Sequence, residues 1–275
     1  MEYLHRLFTL LVTFLVLFNA WRSWRLRRND RTIARLALAS VLLLVLQAGF
    51  GALIVVGRLP AVFTVIDVSN SMVLLAVLVA MTAVSVQERQ DARLFARTAG
   101  VQGAIAEVIA DWRTRARSLR WPAAVTTAVV FAQIVVGGYF RHSGDSEALF
   151  GGNAYLRSHF ENFTPGYAVS AVWLMLHMML GVLVAASVVW LVVQCVRVRR
   201  HARASVTLLL VACLQVILGF VSLATRLSLW SDTAHFACGA VMVGLGGYVF
   251  ARVLADAAPE RALRRKALRR DPNFV

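Results

Sequence analysis

Recurrent apolar runs of about 20 residues govern what this chain can become, because a helix of that length crosses a hydrocarbon core of about 30 Å. Lipid offers no hydrogen bonds, and a helix is the one open segment that pairs its own backbone groups. The runs fall at about 6–24, 36–56, 63–86, 121–140, 168–195, 204–224 and 233–254. With 59% hydrophobic and only 16% charged residues, the chain lacks the polar covering of a soluble protein of 275 residues. The expected fold class is an all-α polytopic membrane protein with seven transmembrane helices.

The connections predict its orientation. Segment 22–35 holds Arg22, Arg25, Arg27, Arg28, Arg31 and Arg35, and segment 87–120 holds Arg89, Arg93, Arg97, Arg113, Arg115, Arg117 and Arg120. Arg197, Arg199, Arg200 and Arg203 follow span five, and the tail adds Arg261, Arg264, Arg265, Lys266, Arg269 and Arg270. The alternate connections carry only Arg58, then Arg141 and Arg157, then Arg226. Positive charge favours the cytoplasmic side, so the N-terminus is expected outside and the C-terminus inside a bacterial inner membrane. The net charge of +15 then serves topology and contact with anionic lipid, not nucleic acid. Cys195, Cys213 and Cys238 all lie in or at the ends of apolar runs, and their spacing gives no disulfide framework and no zinc motif. Met1 leads straight into a span, so no cleavable leader is expected.

Two connections are long. Segment 87–120 mixes charges with Leu94, Phe95, Ile105 and Trp112, a pattern that predicts an amphipathic helix on the cytoplasmic surface, with a solvated linker as the alternative. Segment 141–167 is polar, bears glycines, and is expected to cap something on the outer face. Its His142 and His159 read as solvated.

An internal repeat organises the spans. Gln47, Gly51, Arg58 and Leu59 stand 168 positions before Gln215, Gly219, Arg226 and Leu227, with no gap between. In this register Asp67 answers to His235. Span four carries its own Gln133-x-x-x-Gly137, followed by Arg141 and His142. Spans five to seven therefore echo one to three, and span four reads as the first helix of a four-helix unit. Two pseudo-symmetric helical bundles are expected, the first lacking its first helix, which an in-frame segment upstream of Met1 would supply.

Ionisable groups inside spans are costly and mark function. His5, Asp67, His177 and His235 all fall toward one side of the membrane. Two imidazoles on facing helices of a bundle can ligate haem iron from both faces, or each can simply hydrogen-bond a neighbouring helix. Arg58, Arg141 and Arg226 sit at the mouths, where haem propionates would want cations. Glu2 and His5 share a helix face, so Glu2 could act as acid or base beside a ligand. Asp232, three residues before His235, reads equally as that imidazole's orienting partner or as a helix N-cap. A transporter with rocking repeats would place its site at the midplane on a broken helix, and neither is read here.

Glu2-Tyr-Leu-His5-Arg6 resembles the Glu-x-x-His-Arg segment of the heme A synthase family. Gln47-x-x-x-Gly51 followed by Leu59-Pro60, and the stretch Gly137 to Gly144, resemble further helix ends of that family. The resemblance implies two four-helix bundles. It places haem b between His177 and His235, and the substrate haem o in the N-terminal half with Glu2 as the catalytic glutamate and His5 as a ligand. The implied reaction oxidises a ring methyl of haem o to the formyl of haem a by successive hydroxylation, for terminal oxidases. The family pattern has histidine where this chain has Asp67, and segment 141–167 has no counterpart of the cysteine pair found in many members. The alternative is a non-catalytic bis-histidine haem b protein serving electron transfer or oxidase assembly.

The expected organisation is 1–86 as the substrate-haem half, 87–120 as the cytoplasmic connection, 121–254 as the haem b bundle and 255–275 as a basic cytoplasmic tail. Expected partners are the bilayer and haem o synthase or oxidase assembly machinery. The reading leaves room for a homo-oligomer.

Overall fold

Helices form where the apolar runs predict them. The computed structural model describes residues 2–25, 31–57, 60–97, 111, 114–150 and 166–257, and the side chains of 2–6, 31 and 88–97 lie outside what it describes. Among the described residues the helices are α1 (Glu2–Arg25), α2 (Arg31–Gly57), α3 (Ala61–Arg97), α4 (Arg120–His142), α5 (Asp145–Phe150), α6 (Tyr167–Val198), α7 (Ala202–Ala224) and α8 (Leu229–Asp256). Seven are long and apolar enough to cross a membrane, all but the short α5. The chain is an all-α, multi-pass membrane protein.

One boundary differs from expectation. The connection after span three was expected to begin at 87, but α3 continues unbroken to Arg97. Residues 88–97 contain neither glycine nor proline and are mostly good helix formers, so nothing stops the helix. The surface helix was expected within segment 87–120; residues 87–97 instead continue α3, 114–118 are helical at the approach to α4, and 98–110, 112 and 113 lie outside the described residues.

Helices α4, α6, α7 and α8 close a ring in which each packs on the next and α8 returns to α4. In the N-terminal half α1 packs on α2, α2 on α3, and α3 lies against α4 and α8. The core belongs mainly to the ring: Val188, Leu191, Leu208, Val249 and Val253 are fully buried, and Met72 of α3 joins them. Large apolar side chains such as Phe8, Phe14, Leu42 and Val45 face outward from α1 and α2, as suits lipid.

Helix α8 is central because it is narrow. A Cβ added at Gly246 would lie 3.3 Å from Thr127 Oγ1 of α4, and one at Gly247 would lie 3.7 Å from the Ala76 Cβ of α3. Small residues let backbones approach closely where lipid supplies no hydrophobic drive between helices. Thr126, fully buried on α4, donates to the Ser187 carbonyl of α6 at 2.9 Å and ties a second pair.

At one end of the bundle the α6–α7 turn is locked to the end of α8. Arg199 and His201 both have φ of 56°, the left-handed region, and the Arg199 and Arg200 amides donate back to Val196 and Cys195 carbonyls at 3.0 Å. The Asp256 carboxylate, 2% exposed, accepts from Arg200 Nη2 at 2.6 Å and lies 3.0 Å from His201 Nε2. Arg120 at the start of α4 donates to the Ala257 carbonyl at 3.2 Å. Asp256→Ala is expected to remove the acceptor that Arg200 and His201 share and cost about 3 kcal/mol. The check is a thermal melt of purified protein, and an unchanged midpoint would show that the clamp is dispensable.

Candidate cofactor site

The site lies at the other end, where α4 finishes and α6 and α8 begin. His177 is in the third turn of α6 and His235 in the second turn of α8. The ring puts both helices beside α4, and the two imidazoles face each other with centroids 6.4 Å apart and planes 64° apart. Phe140, buried at the end of α4, stacks near-parallel on His177 at 6.5 Å.

Each imidazole is held by the glutamine–glycine pair of a neighbouring helix. Gln133 Nε2 of α4 lies 3.2 and 3.3 Å from the two ring nitrogens of His177 and donates to the His177 carbonyl at 3.0 Å. Gln215 Nε2 of α7 lies 3.2 Å from His235 Nε2. One turn on, the glycines leave room for the rings. A Cβ at Gly137 would meet His177 Cε1 at 2.7 Å, and one at Gly219 would meet His235 Cε1 at 3.2 Å. The fit is reciprocal, since a Cβ at Gly181 or Gly239 would lie 3.6 or 3.4 Å from the Nε2 of Gln133 or Gln215. Antiparallel neighbours produce this: Gln-x-x-x-Gly runs one way and His-x-x-x-Gly the other, so each polar side chain meets the opposite glycine.

The mouth is charged. Arg141 of α4 forms an ion pair with Asp232 of α8, and Arg141 Nη1 is buried with no hydrogen-bond partner among the described residues. Asp232 therefore neither orients His235 by a hydrogen bond nor caps α8. The cap is Ser228, whose side chain accepts from the Ser231 amide at 3.4 Å. A serine two residues past the left-handed Arg226 is already placed to do this, which leaves Asp232 a turn later on the face toward α4. Arg226 itself is exposed in the α7–α8 turn, with φ of 50°.

His142 was expected in solvent and is instead half-buried as the last residue of α4. Gly144, with φ of 86°, turns the chain back into α5, and the buried Asp145 carboxylate accepts from the Ser143 and Ser170 hydroxyls, the latter at 2.7 Å. That folds the start of the outer segment onto α6. His159 lies outside the described residues.

The N-terminal half repeats the plan with different chemistry. Gln47 Nε2 of α2 donates to Asp67 Oδ1 of α3 at 2.7 Å, where the repeat has imidazole. Asn70 Nδ2 donates to Gln47 Oε1 at 2.7 Å and to the Leu43 carbonyl at 2.9 Å. Among the described residues a Cβ at Gly51 would meet nothing within 4 Å, whereas at Gly137 and Gly219 it would meet an imidazole. Glu2 and His5 lie in the first turns of α1, where side chains are outside the described residues, and so is Arg58.

Two imidazoles suit an iron whose remaining ligands come from its own macrocycle. With metal–nitrogen bonds of about 2 Å, and roughly 1 Å more from each nitrogen to its ring centre, two axial imidazoles would have centroids about 6 Å apart. The observed 6.4 Å fits. The buried Oε1 atoms of Gln133 and Gln215 and the Nδ1 of His235 also find no partner among the described residues, so the pocket is not a self-satisfied polar core. Among the described residues no cluster of three or more His, Cys, Asp or Glu side chains could cage a bare ion.

Fold and site together define a multi-pass membrane protein with a paired-imidazole pocket in a helical bundle. Residues 1–246 match the COX15-CtaA family, described as cytochrome oxidase assembly protein. The chain belongs to that family, the heme A synthase family, and so to cytochrome oxidase assembly and haem A synthesis. No curated protein matches the chain.

Proposed function

We propose that the chain is a heme A synthase-type membrane oxidoreductase that converts the ring methyl of haem o to the formyl of haem a for terminal oxidase assembly. The observation that carries this reading is the pairing of His177 with His235 at 6.4 Å in a chain of this family. His177 and His235 are the residues that would hold a resident haem b. Bound there, that haem would supply one-electron redox chemistry. Arg141, whose buried Nη1 has no hydrogen-bond partner among the described residues, and Arg226 at the α7–α8 turn are the cations for its propionates. In the N-terminal half, residues 1–86, Glu2 is the acid or base at the reacting methyl, His5 the ligand of the substrate haem, and Arg58 its propionate partner. Asp67 stands there in place of a second imidazole.

Orientation follows the arginines: the haem pocket opens on the outer face of a bacterial inner membrane, and the clamped α6–α7 turn and the tail of 255–275 are cytoplasmic. Substrate then arrives from a haem o synthase within the bilayer. The exposed faces of α1 and α2 are open to lipid or to a second copy of the chain.

A second reading rests on the hydrogen-bonded Asp67–Gln47–Asn70 chain, which fills the place of an iron ligand with a saturated polar cluster. On that reading the protein binds haem b without turnover and serves electron transfer or assembly. Both readings predict that the chain purified from haem-replete membranes carries about one haem b with a low-spin, bis-imidazole spectrum. A purified, folded chain without such a spectrum would remove both. They differ in whether haem a is made.

A further inference from the structure

Three helix pairs use one device: α4 with α6, α7 with α8, and α2 with α3 each set a glutamine and a glycine one turn apart against a polar side chain of the partner. The device reads its occupant. Against imidazole, a Cβ at Gly137 or Gly219 would run into the ring, and the glutamine Oε1 has no partner among the described residues. Against aspartate, a Cβ at Gly51 would meet nothing within 4 Å among the described residues, and Gln47 is bonded at both ends, to Asp67 and Asn70. The glutamine limits the ring from one turn away, and the glycine limits it from directly opposite.

We propose that Gln133 with Gly137, and Gln215 with Gly219, are positioning residues that fix the rotation of the His177 and His235 rings and so set the angle at which the two imidazoles meet a shared ligand. The proposal rests on the haem b reading above. The two clamps are unequal. Gly137 leaves less room than Gly219, 2.7 Å against 3.2 Å to a built Cβ, and Gln133 is additionally anchored on the His177 carbonyl. His177 is therefore the fixed ring and His235 the adjustable one.

The test loads the full-length chain and its Gln133→Met, Gln215→Met, Gly137→Ala and Gly219→Ala variants with haem b. It reads the electron paramagnetic resonance of the ferric form, whose g anisotropy depends on the angle between axial imidazole planes. Gly137→Ala is expected to weaken haem retention by about 10-fold or more, and Gly219→Ala by less. Both methionine variants, which keep length and lose the amide, are expected to hold haem with shifted g values. Gln133→Glu, which keeps the length but loses the Nε2 donor to the His177 carbonyl, is expected to shift the g values as the methionine variant does. Wild-type g values in both methionine variants would overturn the proposal while leaving haem binding intact. The haem-free chain gives an independent reading, because ¹⁵N imidazole resonances of His177 and His235 should shift in the corresponding methionine variants. Should wild type bind no haem, the haem reading fails on its own, and unchanged imidazole resonances would then overturn the clamp as well.

Discussion

His177→Ala or His235→Ala is expected to abolish the low-spin haem spectrum of the purified chain while leaving the fold standing. Substitutions beside a metal ligand already weaken binding by about 10–100-fold, and removal of the ligand itself should exceed that. The fold is expected to survive because neither ring is a structural keystone. Without the His177 ring, Gln133 still donates to the residue 177 carbonyl at 3.0 Å. His235 loses only its 3.2 Å contact with Gln215, a change of about 1 kcal/mol. The measurement pairs a haem spectrum with a thermal melt on the same sample. A low-spin spectrum unchanged in either variant would show that the iron is held elsewhere.

The second large effect is expected at Asp67. Its carboxylate accepts from Gln47, which accepts from Asn70, which reaches the Leu43 carbonyl, so one side chain anchors the α2–α3 contact inside the membrane. Asp67→Ala removes the acceptor of the Gln47 amide and should destabilise the chain by about 1–3 kcal/mol. Asp67→Asn retains an acceptor at the same reach and should recover most of that loss. The check is the melting midpoint of the two variants against wild type. Equal destabilisation by alanine and asparagine would assign the stability to the charge instead of the hydrogen bond. An asparagine variant with wild-type stability and no haem a would place the carboxylate in the chemistry.

The spans were legible because hydropathy alone decides them. Each apolar run became a helix, and the errors are at ends such as Arg97, where no residue breaks the helix. The meeting of His177 and His235 was legible too, through the repeat and the shared depth of the two residues. The uses of Gln133, Gln215 and Gly219 were not. They were visible as repeat markers, but their contacts depend on the antiparallel register of two helices, which no single run of sequence encodes. Asp232 shows the same limit: two local readings were available, and the partner was Arg141, on another helix and 91 positions away. Asp256 and His201 were hidden among arginines, where a charge-rich loop gives no sign of which carboxylate is buried. Asp145 looked like one more polar residue of an outer segment, and it is buried because Gly144 turns it onto Ser170.

The reaction proposed for this chain is the conversion of haem o to haem a. The most direct measurement is to express it with a haem o supply in membranes that otherwise make no haem a, then extract and separate the haems. Haem a is expected from the wild-type chain and not from His177→Ala. Its absence from a wild-type chain that retains its low-spin haem b would contradict the claim and leave a haem-binding protein without turnover.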